Sequence, residues 1–96
     1  MTEKEKLGKY LLKLREKVPS KEYNKDHISQ QEIADNNIGL TKHLIGSVER
    51  GEANPTLDKL IYMAKALNLQ KVNLFELEIK VDKYIEELKK NSIKGK

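Results

Sequence analysis

The chain has 96 residues, and its 19 lysines and arginines exceed its 15 aspartates and glutamates, for a formal net charge of +4. This length predicts one small domain, and the mild basic excess is compatible with a nucleic-acid partner without being specific to one. The absence of cysteine and the two separated histidines, His27 and His43, give no support to a disulfide framework, a zinc site or a cofactor. No apolar run approaches the roughly 20 residues of a membrane span, and no signal peptide opens the chain, so we expect a cytoplasmic protein.

The first predicted helix is marked by leucines and a valine that recur every three or four residues. Leu7, Leu11, Leu14 and Val18 fall on one face of a helix, which Pro19 ends. The polar stretch PSKEYNKDH that follows has no apolar period and is predicted to be a loop.

Two short helices follow, each with its own start and stop signals. Ser29 and Glu32 form the pattern of a capping box, and the helix that they open ends near Asn36. After a turn at Gly39, Thr41 caps a second short helix. A short capped helix, a glycine turn and another short helix predict a helix-turn-helix, whose second helix enters the major groove of DNA.

Two further helices complete the prediction. Thr56 caps the fourth, which has an apolar stripe at Leu57, Leu60, Ile61, Ala64 and Leu67. The fifth is predicted from about Val72 to about Lys90, and the tail 91–96 is expected to fray. No strand pattern stands out, so we expect an all-α fold of five helices in a single domain spanning 1–96.

The polar face of the third helix has an unusual composition. Opposite its apolar residues it carries donors, hydroxyl or imidazole groups and a bare glycine, at Lys42, His43, Gly46, Ser47 and Arg50. Such a face without a carboxylate suits a polyanion, because lysine and histidine can donate to guanine acceptors or to phosphate oxygens. The other interpretation is a solvated basic face in which Gly46 is merely tolerated.

Several segments together carry a resemblance to a known family. They are LGKYLLKLRE, ISQQEIA, IGLTKHLIGSVERG, NPTLDKLIYMAKALNL and NLFEL, and they span about 7–78. In this combination the chain resembles the XRE family of bacterial and phage regulators. The resemblance implies the lambda-repressor-like fold and sequence-specific binding of double-stranded DNA.

The resemblance also implies roles for individual residues. The expected base-reading residues are Lys42, His43 and Ser47. For the DNA backbone, the resemblance implies contacts by Gln30, Arg50 and Asn54. The free N–H groups at the start of the helix that opens with Ser29 and Gln30 also suit a phosphate, and Thr41 is a further expected backbone contact. Arg15 and Glu49 match an ion pair that ties the first helix to the end of the third.

The link between the first two helices is longer than usual in the family. Its Lys21 and Lys25 either contact phosphates or belong to a loop without function, and the second reading is favoured.

The last predicted helix has a long apolar stripe, which is a candidate dimer interface with a second copy of the chain. We expect a twofold interface formed by Leu74, Phe75, Leu77, Val81 and Tyr84, because helix-turn-helix proteins commonly bind near-palindromic sites as dimers. The alternative is that this helix folds back and completes the core of its own chain.

These patterns predict a transcriptional regulator that binds its operator as a homodimer and has no enzymatic activity. His43 and Ser47 lie one turn apart, but Glu49 lies nearly opposite His43 and cannot orient its ring, so a catalytic triad is excluded. The setting is either a restriction-modification controller or a phage-type repressor. The competing class is an antitoxin or another protein-binding module whose last helix docks a toxin or a different partner protein.

Overall fold

The computed structural model describes residues 1–20 and 26–94, which form five helices and one β-hairpin. In chain order these are α1 (Glu3–Arg15), α2 (Gln30–Asn36), α3 (Lys42–Glu49), α4 (Leu57–Ala66), β1 (Lys71–Leu74), β2 (Leu77–Lys80) and α5 (Val81–Lys94). Lys21 and Lys25 of the long link lie outside the described residues. Within the described ranges, none of the helices has the length and apolar character required to cross a bilayer.

The first four helices begin at side-chain caps. A hydroxyl accepts a hydrogen bond from the backbone N–H three residues further on in each case, at Thr2, Ser29, Thr41 and Thr56. Ser29 Oγ accepts from Glu32 N at 3.0 Å, and the buried Glu32 carboxylate accepts from the Ser20 hydroxyl at 2.6 Å. The caps predicted at Ser29, Thr41 and Thr56 are therefore present.

The helices enclose one main apolar core and one smaller cluster. The main core is built from Val18, Ile28, Ile33, Leu40, Ile45, Val48, Met63 and Leu67. The smaller cluster contains Ile61, Ala64 and Val81 and lies where α5 meets α4. Because Ile45 and Val48 belong to the main core, one face of α3 is fixed by burial.

The prediction of a fifth helix beginning near Val72 is wrong in its first part. Residues 71–80 form an antiparallel hairpin in which Leu74 pairs with Leu77. Phe75 and Glu76 make the two-residue turn with φ values of 51° and 71°, the left-handed backbone of a type I′ turn. The fold is therefore mostly helical with a small two-stranded sheet, and the expectation of an all-α fold is not exact.

Helix α5 folds back against α4, as the alternative interpretation held. Val81 has no exposed surface, and Tyr84 Oη donates to Asp58 at 2.6 Å. Val81 therefore belongs to the core of its own chain and is not open to a second copy, which corrects that part of the predicted interface.

The other predicted interface residues differ in exposure. Leu74 and Tyr84 are half-buried, whereas Phe75 is fully exposed and Leu77 is 64% exposed. Leu74, Phe75 and Leu77 lie on the hairpin, so they do not share a helical stripe with Tyr84. A second copy would meet the hairpin rather than one continuous helix.

Candidate nucleic-acid interface

The first turn of α3 presents two adjacent donor side chains. Lys42 and His43 are both exposed, and the first turn of this helix contains no acidic residue. Thr41 is exposed as well, and its Oγ1 accepts from Leu44 N at 3.0 Å. The N-terminal end of α3 therefore carries a positive helix dipole and two donors without a competing carboxylate.

The turn that leads into α3 is held by α4. Gly39 adopts a φ of 92°, and a Cβ at this position would lie 3.0 Å from the ring of Tyr62. Lys59 Nζ donates to the carbonyl oxygen of Gly39, with its ammonium 5.9 Å from the centroid of the Tyr62 ring. These two side chains of α4 fix the start of α3, and the sequence analysis did not identify them.

Arg15 and Glu49 are brought together as an ion pair between α1 and the end of α3. Arg15 Nε and one terminal nitrogen donate to the two Glu49 oxygens at 2.7 and 3.1 Å, a bidentate arrangement. Arg15 also donates to the carbonyl of Ile28 at 2.9 Å, and Gln30 Nε2 donates to Glu49 Oε1 at 2.6 Å. Gln30 therefore braces α3 directly, and three separate parts of the chain meet at one carboxylate.

Glycines let α1 approach the end of α3 backbone to backbone. A Cβ at Gly8 would overlap the carbonyl oxygens of Val48 and Glu49, and a Cβ at Gly51 would lie 2.8 Å from Cα of Glu5. Sequence reasoning missed the role of Gly8, although a glycine inside an amphipathic helix is a signal for close packing. At this contact no side chain separates the two helices.

The middle of the polar face of α3 is not open, contrary to the sequence-based expectation. Gly46 and Ser47 are both buried, and Ser47 is only 8% exposed. The guanidinium of Arg50 lies over them, with Nη2 donating to Ser47 Oγ at 3.4 Å and Nε to Glu52 Oε1 at 3.0 Å. A ligand approaching this part of α3 would meet Arg50 before Ser47.

The remaining predicted contacts lie at an end of a helix and in a loop. Ser29 is half-buried at the start of α2, and its hydroxyl oxygen already accepts from Glu32 N. Asn54 is exposed in the loop between α3 and α4. Both sites retain polar groups that can donate to an anion, namely the amide of Asn54 and the hydroxyl hydrogen of Ser29.

Comparisons with known proteins give one curated relative. No family model matches the chain, and no solved structure matches it. The chain is 51% identical over 45 residues to Control protein C.SmaI of Serratia marcescens, a match that covers 47% of this chain and 52% of that protein. The chain therefore spans about half the length of the curated relative that it matches.

Proposed function

We propose that this protein is a transcriptional regulator that binds double-stranded DNA, with α3 in the major groove. The observation that carries the proposal is the first turn of α3, where exposed Lys42 and His43 stand together without an acid. A short helix after α2 and a glycine turn is the geometry in which such donors meet base edges. Catalysis forms no part of the proposed role.

The proposed contacts divide into base readers and backbone contacts. Lys42 and His43 donate hydrogen bonds to base acceptors in the major groove. Ser47 contacts a base only where Arg50 moves aside. The proposed backbone contacts are Ser29, Gln30, Thr41 and Asn54. Arg50 differs from these residues, because its guanidinium lies over α3 instead of extending from its end.

The proposed setting is a controller of a restriction-modification operon within the XRE family. The similarity to Control protein C.SmaI favours this setting over a phage-type repressor. The similarity extends over 47% of the chain.

We further propose a homodimer on a near-palindromic operator. The exposed Phe75 and Leu77 of the hairpin supply apolar surface for a second copy, in place of the helical stripe that the sequence predicted. Two copies would place their α3 helices about one DNA turn apart. Sedimentation at micromolar concentration tests this part alone, and a clean monomer would contradict it.

The decisive experiment is selection of bound sequences from a random pool of duplex DNA. We expect enrichment of a near-palindrome whose half-sites are about one helical turn apart, roughly 34–36 Å. One half-site motif repeated in inverted orientation would support sequence-specific recognition by a homodimer. No enrichment at low salt would contradict sequence-specific recognition.

A second candidate function is a protein-binding module such as an antitoxin. The observation that favours it is the exposed Phe75 at the tip of the hairpin. Salt dependence separates the two functions. A protein making 6–10 phosphate contacts loses roughly 10³–10⁵ in DNA affinity between 50 and 200 mM salt, whereas binding through apolar hairpin residues is nearly independent of salt.

A further inference from the structure

The side chain of Arg50 runs back along α3 from the C-terminal end of the helix. Arg50 is the C-cap residue, yet its Nη2 reaches the Ser47 hydroxyl at 3.4 Å. Its guanidinium also lies beside Cα of Gly46, close enough that a Cβ there would be 3.0 Å from Nη1. The guanidinium thus occupies the part of the polar face that the sequence assigned to Ser47.

Gly46 is the residue that permits this position. A Cβ at Gly46 would crowd Arg50 Nη1 at 3.0 Å and Gln30 Oε1 at 3.3 Å, both of them ends of side chains. A methyl group there would push the guanidinium outwards by a few tenths of an ångström, and a longer side chain would push it further. A glycine inside a helix costs about 1 kcal/mol relative to alanine, and the contact with Arg50 supplies a reason for its presence.

Glu52 holds the guanidinium from the other side. Its Oε1 accepts from Arg50 Nε at 3.0 Å, and the two side chains are 56% and 60% exposed. An ion pair this exposed adds little to stability. The pair acts on orientation, because bonds at Nε and Nη2 together favour one plane of a group that has five N–H donors in a rigid fork.

We propose that Arg50 reads a guanine in the major groove, with Gly46 and Glu52 as its positioning residues. This inference rests on the proposed function and reassigns Arg50 from the phosphate contact that the family resemblance implies. A guanidinium donates to O6 and N7 of guanine as a bidentate pair, and this requires a fixed plane. A phosphate contact has no such requirement, since phosphate oxygens accept from many directions.

The test compares how strongly variants discriminate at each base pair of the selected operator. The operator comes from the selection described above, and affinities are measured by titration at one salt concentration. Wild-type protein should prefer one G·C pair in each half-site over its replacements by roughly 5- to 150-fold. Arg50→Ala should lose that preference and retain the preferences at the other positions.

Two variants test the positioning roles while Arg50 stays in place. Gly46→Ala should weaken discrimination at the same G·C pair without lowering the thermal midpoint, because alanine is the better helix former. Glu52→Ala should weaken discrimination at this G·C pair as well. Glu86→Ala removes an equal charge from an exposed position on α5. It is the matched control and should leave the discrimination unchanged.

Three results would overturn the inference in distinguishable ways. If Arg50→Ala weakens binding to the operator and to random DNA by one common factor, Arg50 contacts phosphate only. If Gly46→Ala and Glu52→Ala retain full discrimination, the two positioning roles are wrong. If the wild-type protein selects no motif at all, the proposed function itself fails, and the inference fails with it.

Discussion

Arg15 Nε lies 2.7 Å from Oε2 of Glu49, and the two side chains are only 11% and 7% exposed. The pair joins α1 to the last residue of α3, and Gln30 adds a bond from α2 to the same carboxylate. Groups this deeply covered are costly to leave without their partner. This ion pair therefore holds the end of α3 to α1, together with the backbone contact at Gly8.

We expect Arg15→Met to destabilise the protein by about 3–5 kcal/mol, because the Glu49 carboxylate would remain buried without its counter-charge. Urea denaturation followed by circular dichroism measures the change. Glu3→Gln is the control, since its ion pair with Lys6 is largely exposed and its loss should cost less than about 1 kcal/mol. Equal effects of the two variants would contradict the role given to Arg15.

Gly8→Ala should also destabilise the fold, by roughly 1–3 kcal/mol. The added methyl would overlap the backbone carbonyls of Val48 and Glu49, which cannot move without shifting α3. Lys9→Ala at the exposed neighbouring position is the control and should change stability by less than about 0.5 kcal/mol. A Gly8→Ala protein as stable as wild type would show that α1 and α3 are not in backbone contact.

Glu76→Gly should stabilise the hairpin, by up to about 1 kcal/mol. Glu76 has a φ of 71°, a region that glycine enters without the steric cost paid by a side chain. Glu78→Gly on β2 should have the opposite sign, because the residue there is in an extended strand. Both changes remove one charge, and Glu78→Gly also removes an exposed pair with Lys71 at 3.5 Å. A pair this exposed adds little to stability, so the opposite signs in thermal unfolding report mainly the backbone effect.

We expect the protein to lose folding stability at high pH because of Tyr84, which lies at the contact between α4 and α5. The hydrogen bond that Tyr84 donates to Asp58 raises the pKa of Tyr84 above 10.0, its ordinary value. The folded state therefore holds this proton more tightly than the unfolded state. The contribution of the bond to the free energy of unfolding is complete below pH 10, and it is lost as the pH rises through the higher pKa of the folded state. Stability measured from pH 9 upwards should fall more steeply for wild type than for Tyr84→Phe, and parallel curves would contradict the bond.

Lys42→Ala should weaken binding to the selected operator more than binding to random DNA, with a difference of about 1–3 kcal/mol. Its exposed ammonium stands at the start of α3 next to His43. Lys83→Ala, an exposed lysine on α5, removes an equal charge and should reduce both affinities only slightly. If Lys42→Ala lowers both affinities by the same factor, Lys42 contacts the backbone.

The helical part of the fold was predictable because its signals are local. Ser29, Thr41 and Thr56 each cap the helix that the sequence assigned to them. In the predicted apolar stripe of α4, Ile61, Ala64 and Leu67 are buried, whereas Leu57 is 38% exposed. Caps and periodicity depend on neighbours within a turn of the chain, so a sequence shows them directly.

The hairpin was missed because its turn lacks the usual residues. A type I′ turn normally carries asparagine or glycine, and here it carries Phe75 and Glu76. Leu74 and Leu77, which pair across the turn, are three residues apart, the spacing of neighbours on a helix. The alternation of Val72 with Leu74 and of Leu77 with Ile79 was present, but the absence of a turn signal concealed it.

Helical spacing places the candidate residues on α3, but it does not give their arrangement. A helical projection places Ser47 on the polar face, but it cannot show that the long side chain of Arg50 returns to cover it. It likewise cannot show that Lys59 and Tyr62 of α4 hold the turn at Gly39. Long side chains and distant elements decide these contacts, and neither is encoded in local spacing.

The backbone contact at Gly8 has a consequence for the DNA. With α1 pressed on the carbonyls of Val48 and Glu49, a movement of α3 towards α1 would bring backbone atoms into overlap. For a duplex bound as proposed, the adjustment of shape falls on the nucleic acid, whose bending cost depends on its sequence. We expect a DNA-binding domain with such a closely packed α3 to prefer operators that have flexible dinucleotide steps, such as TA and CA, at positions that no side chain touches.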